Sequence, residues 1–146
     1  MKDAFGGIIN MAFLGLFLLI IIGILGLVVS YTKAFKMKNI IISHIENYES
    51  SGCFTEGTAC MKKIRQSAEG IGYGSRIFCP DDYGKIDGLF CYKEFTANNP
   101  DNYVLDNPKY YRIVTQVDLD LPIISSIFSI NFFRVTGDTR VIETRS

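Results

Sequence analysis

The chain has 146 residues, with 15 basic and 15 acidic side chains and no net charge. That balance argues against nucleic acid as a partner, because such surfaces need a basic patch or stripe. Its apolar residues are concentrated at the N-terminus, and setting that stretch aside leaves roughly 100 residues, enough for one small domain.

No charge falls between Asp3 and Lys33, and the densest part of this interval, Ile8 to Ser30, reads IINMAFLGLFLLIIIGILGLVVS. A helix crosses a bilayer core with roughly 20 apolar residues. The stretch therefore predicts a transmembrane helix within residues 1–32. A buried core helix would be shorter. A cleavable signal peptide would have an apolar region of only ~7–15 residues and a small-residue cleavage site, whereas this run opens into YTKAFKMKN. A retained anchor, single-pass in the cell membrane, is the expectation, with the lipid bilayer as partner. Gly15, Gly23, Gly26 and Ser30 thin the helix surface, and Gly26 with Ser30 forms a small-xxx-small pair through which other membrane helices could approach. The null is ordinary transmembrane composition, where Gly is frequent.

No Gly or Pro interrupts residues 33–50. Ala34, Met37, Ile41, Ile45 and Tyr48 recur at three- and four-residue steps, the mark of one helical face. The same helix is predicted to project beyond the membrane, from Ile8 to about Glu49, with Ser51-Gly52 as its stop.

Residues 51–146 form the predicted head. Thr58 to Glu69 reads as a second helix, with Cys60, Met61, Ile64 and Ala68 turned inward, Thr55 or Thr58 as cap and Gly70 and Gly72 at its end. Short strands follow at Arg76–Cys79 and Leu89–Phe95, separated by a Pro80–Gly84 turn. Thr96–Pro108 reads as an exposed loop. Tyr111, Ile113, Thr115, Val117, Leu119 and Leu121 alternate with Arg112, Gln116, Asp118 and Asp120, with Val114 the exception; this predicts a strand with one buried face. Pro122 ends it, and Ile123 to Phe128 has the spacing of a helical turn. Ile130–Val135 and Arg140–Glu143 read as a hairpin around Gly137-Asp138, with Phe133 and Val135 opposite Ile142 and Arg140. The predicted fold class is α+β: a long N-terminal transmembrane helix continuing into a small domain with a second helix and an antiparallel β-sheet.

Cys53, Cys60, Cys79 and Cys91 all follow the apolar stretch. An even count in a small non-cytosolic domain suggests two disulfides. Three connectivities are open, and nearest-neighbour pairing, Cys53–Cys60 and Cys79–Cys91, is the expectation. Free thiols or a zinc site are the rivals, though a zinc knuckle favours C-x₂₋₄-C spacing. Lys33, Lys36 and Lys38 behind the span favour a cytoplasmic head by the positive-inside rule. The cysteines favour an extracytoplasmic one, and we side with the cysteines.

The chemistry is sparse. His44 is the only histidine and has no cysteine near it in sequence, so a nucleophilic pair has no support. Asp118 and Asp120 could in principle divide acid and base roles or bind a hard cation, but a solvated strand face is the simpler reading. Asp81-Asp82 sits in a turn, and GIGYG lacks the strand–helix context of a phosphate loop. No catalytic, cofactor-binding or metal residue, no cofactor and no small-molecule substrate is predicted, and the chain is not expected to be an enzyme.

The apolar run leading into AFKMKNIIISHIENYE, with the tail YYRIVTQVDLDLPIISSIFSINFFRVTGDTRVIE, resembles the type IV pilin architecture, and more narrowly the small TadE/TadF-like pseudopilins of bacterial tight-adherence pili. The resemblance implies a structural role among other pilin-like subunits. Prepilins carry a Gly at their cleavage point and a Glu five residues into the mature helix; here Gly6-Gly7 is followed by IINMA. The implied role is therefore that of an accessory or assembly component of a surface filament or secretion system. The alternative is a membrane-tethered extracytoplasmic binding module unrelated to pili, with 96–108 as the contact loop.

Overall fold

A computed structural model describes residues 2–50, 52–74, 76–96, 108–118 and 132–143, with backbone alone at 2–5 and 143. The chain is an α+β protein built on one helix, α1 (Lys2–Asn47), which runs 46 residues, roughly 69 Å at 1.5 Å per residue. Its start lies six residues before the expected Ile8. The predicted inward face holds: Ala34, Met37, Ile41 and Ile45 are fully buried, and Tyr48 packs on the same cluster.

The helix stops before Ser51-Gly52. Glu49 N–H bonds the Glu46 carbonyl and Ser50 N–H the Ile45 carbonyl at 2.8 Å, the paired bonds of a Schellman cap. Glu49 and Ser50 thus adopt positive φ, 46° and 62°, a region that costs non-glycine residues roughly 1–2 kcal/mol. Replacing exposed Glu49 with Gly should stabilise the chain by roughly 0.5–1 kcal/mol, read as a higher melting temperature in detergent. A lower one would mean that the Glu49 side chain contributes more than its backbone costs.

Helix α2 (Ala59–Ile71) begins at Thr58, whose hydroxyl accepts from Met61 N–H, and ends at Gly72 in the left-handed conformation. Cys60, Met61, Ile64 and Ala68 are its buried residues, and they lie in one cluster with Met37, Ile41 and Ile45 of α1.

Among the described residues five antiparallel strands follow: β1 (Gly84–Ile86), β2 (Phe90–Thr96), β3 (Pro108–Asp118), β4 (Phe132–Asp138) and β5 (Ile142–Glu143), in spatial order β1-β2-β3-β4 with β5 also on β3. Strand β1 has no counterpart among the strands expected from sequence; only its Gly84 falls in the expected Pro80–Gly84 turn. Its Gly84 lies under the Tyr92 ring, where a Cβ would come within 2.5 Å of the ring, so the aromatic covers a position that only Gly leaves open. The inner face of the sheet meets both helices through Phe90, Tyr111 and Ile113. Phe54 stacks on Tyr92 at 4.2 Å to close the α2 side.

Three expectations are corrected. The Gly137-Asp138 hairpin does not form: β4 runs through both residues along β3, pairing Val135 with Thr115, Phe133 with Val117 and Asp138 with Arg112. Strand β5 continues along the same edge, pairing Ile142 with Lys109. One extra residue lies between the two registers, the mark of a β-bulge. Gly137 sits where α1 crosses: a Cβ would lie 2.8 Å from Lys38 Cδ and 3.0 Å from Ile42 Cδ1, so these side-chain ends would have to shift. Next, residues 76–79 are not a strand; they cross the outer face of the sheet without a ladder of their own. Finally, β3 is buried on both faces, since Val114 and Gln116 are as hidden as Ile113 and Thr115. The expected helical turn at 123–128, the far end of the β3 strand at 119–121 and the loop interior at 97–107 lie outside the described residues.

Candidate functional site

Two regions stand out: the bare half of α1, and the joint where the head grips it. From Ile8 to Val29 the large apolar side chains of α1 other than half-buried Leu27 are exposed, among them Phe13, Phe17, Ile22 and Leu25. The helix is long and apolar enough to cross a membrane, and none of its most apolar window is covered by the rest of the chain. A surface of this size does not stay in water. Of the residues singled out for helix packing, Gly15, Gly23 and Gly26 have open space beside them. Ser30 instead lines a cleft against the head.

The head reaches back along the helix to Leu27, which packs with Ala34, Val117, Val135 and Tyr73. Polar contacts fasten this joint. Thr115 Oγ1, fully buried, donates to the Ala34 carbonyl at 3.1 Å. Lys33 Nζ donates to the Gly72 carbonyl at 3.4 Å. At the far end of α1, Glu46 accepts from Arg140 N–H at 2.8 Å, so the bulge between β4 and β5 is tied to the helix terminus. The cleft beside Ser30 and Lys33 has a volume of about 210 Å³ and is floored by Tyr73, Gln116 and Asp118.

Behind the sheet, residues 73, 74 and 76–79 form a strap held by Gln116. Strand β2 ends opposite Val114, so beyond it Gln116 needs other backbone partners. The Tyr73 hydroxyl supplies them, donating to the Gln116 carbonyl and accepting from its N–H, both at 3.1 Å. Burial pushes the Tyr73 hydroxyl up to about 12, so it keeps its proton and can donate. The Gln116 side chain then donates to the Arg76 carbonyl at 2.8 Å and accepts from Phe78 N–H at 3.0 Å. One amide side chain thus does for the strap what a neighbouring strand would do. Ile77 packs under it with Cys91 and Val114.

Two disulfides are present, Cys53–Cys60 and Cys79–Cys91, with Cα separations of 5.0 and 5.6 Å. The first closes the turn between α1 and α2; the second pins the end of the strap to β2. Oxidised pairs of this kind persist in oxidising compartments. Among the described residues no group of three or more His, Cys, Asp or Glu side chains is placed to hold a metal ion.

The outer face carries cations over rings. Phe95 stacks on Tyr110 at 5.2 Å, with the Arg112 guanidinium 5.0 Å from the Phe95 ring. Arg112 also makes a two-bond pair with Asp138, at 2.7 and 2.9 Å. The guanidinium holds the Asp138 carboxyl below its usual range. Asp118, expected on a solvated face, accepts from Arg76 N–H and from Gln116 Nε2. It helps hold the strap.

His44 is half-buried on α1. Burial, reinforced by the Lys63 ammonium, lowers its pKa. The unfolded chain therefore binds a proton more readily at this position. The associated stability is present above the unfolded value of about 6.5 and is lost as pH falls through the folded value. The melting temperature of the head should drop as pH falls below about 6.5, and His44→Gln should flatten that part of the profile. An unchanged profile in the variant would assign the acid sensitivity to other groups.

Sequence reasoning placed the cysteines and the helix face. It missed Tyr73 and Gln116, for which the one signal was Val114, an apolar residue on the supposedly wet face. Comparison with protein-family models, with curated proteins and with solved structures finds no match to this chain.

Proposed function

We propose that the chain is a single-pass membrane protein that presents an extracytoplasmic α+β head and serves as a pilin-like accessory subunit in a bacterial surface filament or secretion system. One observation carries this reading. A single unbroken helix is bare and apolar in its N-terminal half and forms the spine of a small sheet domain in its C-terminal half. An anchor alone needs no such continuity; a flexible linker would serve a merely tethered module as well. Continuity fixes the head relative to the helix, which suits subunits that pack side by side through their helices. The two disulfides support an oxidising location for the head.

Mild detergent extraction should therefore co-purify the chain with other pilin-like membrane subunits. Reproducible isolation as a lone monomer, under conditions that keep such an assembly intact, would overturn the proposal. Orientation is tested separately, by labelling with a membrane-impermeant thiol reagent on intact cells. Labelling that appears only after an external reductant is expected. Labelling only after lysis, without reductant, would put the head on the cytoplasmic side and end the pilin-like reading.

A further inference from the structure

Three lysines, Lys33, Lys36 and Lys38, follow the apolar half of α1. Lys33 and Lys36 are exposed and Lys38 half-buried. No acidic residue occurs between Asp3 and Glu46. Elsewhere six cations are coupled to carboxylates: Arg65, Lys85, Lys93, Lys109, Arg112 and Arg140. None of the three lysines is in an ion pair among the described residues. At 100° per residue they also point in three different directions around the helix. Lys33 reaches toward Gly72 and Lys38 lies against Gly137, on opposite flanks of the head, while Lys36 faces away from it. Tyr31 and Phe35 stack at the same level at 6.4 Å, and Lys38 Nζ sits 4.3 Å above the Phe35 ring. A ring of cations with an amphipathic tyrosine, Tyr31, at the end of an apolar helix matches the headgroup layer of a bilayer.

We propose that Lys33, Lys36 and Lys38 form a collar that binds the phosphate headgroups of anionic phospholipids and seats the head at a fixed height on the membrane. The inference rests on the membrane reading above. Topology alone gives no reason to keep three lysines on the outer side of a span; a lipid partner supplies one. Each lysine near an anionic surface strengthens the attraction by roughly fivefold, and the attraction is screened by salt.

The test uses the full chain in phosphatidylcholine vesicles containing phosphatidylglycerol. Spin-labelled phosphatidylglycerol and phosphatidylcholine report which lipid the protein immobilises. The expected result is a preference for the anionic label of roughly fivefold or more at low salt, falling toward parity in about 1 M salt. K33Q/K36Q/K38Q should abolish the preference and K33R/K36R/K38R should retain it. Because Lys33 and Lys38 also touch the head, K36Q alone, at the exposed site, should give a partial loss with an unchanged melting temperature. Parity in the native chain, or a preference that survives the triple Gln variant, would overturn the collar. Resistance to alkaline carbonate extraction separates the two ideas: a chain that stays in the vesicles without lipid preference sinks the collar alone, whereas one that is extracted sinks the membrane reading beneath it.

Discussion

Ile41→Asp should detach the head from its spine. Ile41 is fully buried; it belongs to the cluster that joins α1 to α2 and the sheet, with Met37, Ile45, Ile64, Phe90 and Ile113. None of these side chains can donate a hydrogen bond to a carboxylate. A carboxylate there loses its hydration, gains no partner and also leaves the space of the missing isoleucine atoms. The combined cost is about 4 kcal/mol or more, against a total of roughly 5–15 kcal/mol for a domain of this size. Limited proteolysis in detergent should then cut between residues 48 and 96 while leaving the apolar part of α1 intact. Ile24→Asp, on the bare half of the helix, should leave the head resistant and instead impair membrane insertion. Equal protease resistance for native and Ile41→Asp chains would show that the head does not depend on this face.

The second large effect is expected from C79A/C91A. Removing this bridge frees a loop with a sequence separation of 12, and the lost constraint on the unfolded chain is worth about 3 kcal/mol. The effect is local as well as global, because Cys79 ends the strap over Gln116. With the bridge gone, the strap is held by the Gln116, Tyr73 and Asp118 bonds and by the small cluster of Ile77 and Val114. Hydrogen exchange at Phe78 N–H, bonded to Gln116 Oε1 at 3.0 Å, should accelerate more than exchange at the β2–β3 ladder. Uniform acceleration across the sheet would mean that the strap and the sheet open as one unit. C53A/C60A spans a shorter separation of 7 and should cost less by the same argument.

The sequence made the helices readable because their signal is local. Ala34, Met37, Ile41 and Ile45 repeat at the period of a helix, and nothing distant is needed to see it. Cysteine spacing likewise suggested the nearest-neighbour pairs that the structure contains. What escaped was decided between segments far apart in the chain. Gly137-Asp138 carries a strong local turn signal, yet β4 gains more by continuing along β3, where Asp138 meets Arg112 and Gly137 lets α1 pass close by. Gln116 reads as a solvent-facing residue until Tyr73 and residues 76–79 fold over it, 38 to 43 positions earlier in the chain. Alternation reports how many faces of a strand are apolar; it does not report a polar side chain that is buried because it completes another segment's hydrogen bonds. The joint between head and helix was legible only in part, since Thr115 and Leu27 lie in runs whose other members do other work.

The absence of Gly and Pro from Leu27 to Tyr48, together with the packing of the head along that length, joins the head to this half of α1 without a hinge. About 20 residues separate the first gripped turn from the end of α1, or roughly 30 Å. In a bilayer, a tilt of about 20°, ordinary for a single helix, would swing the distal end of the head sideways by roughly 10 Å. Changes in bilayer thickness, or a neighbour pressing on the buried half, would thus be transmitted outward as a displacement several times the size of a side-chain contact. In that setting the long helix would work as a lever arm, and the head's position would report mechanically on what happens among the lipid tails.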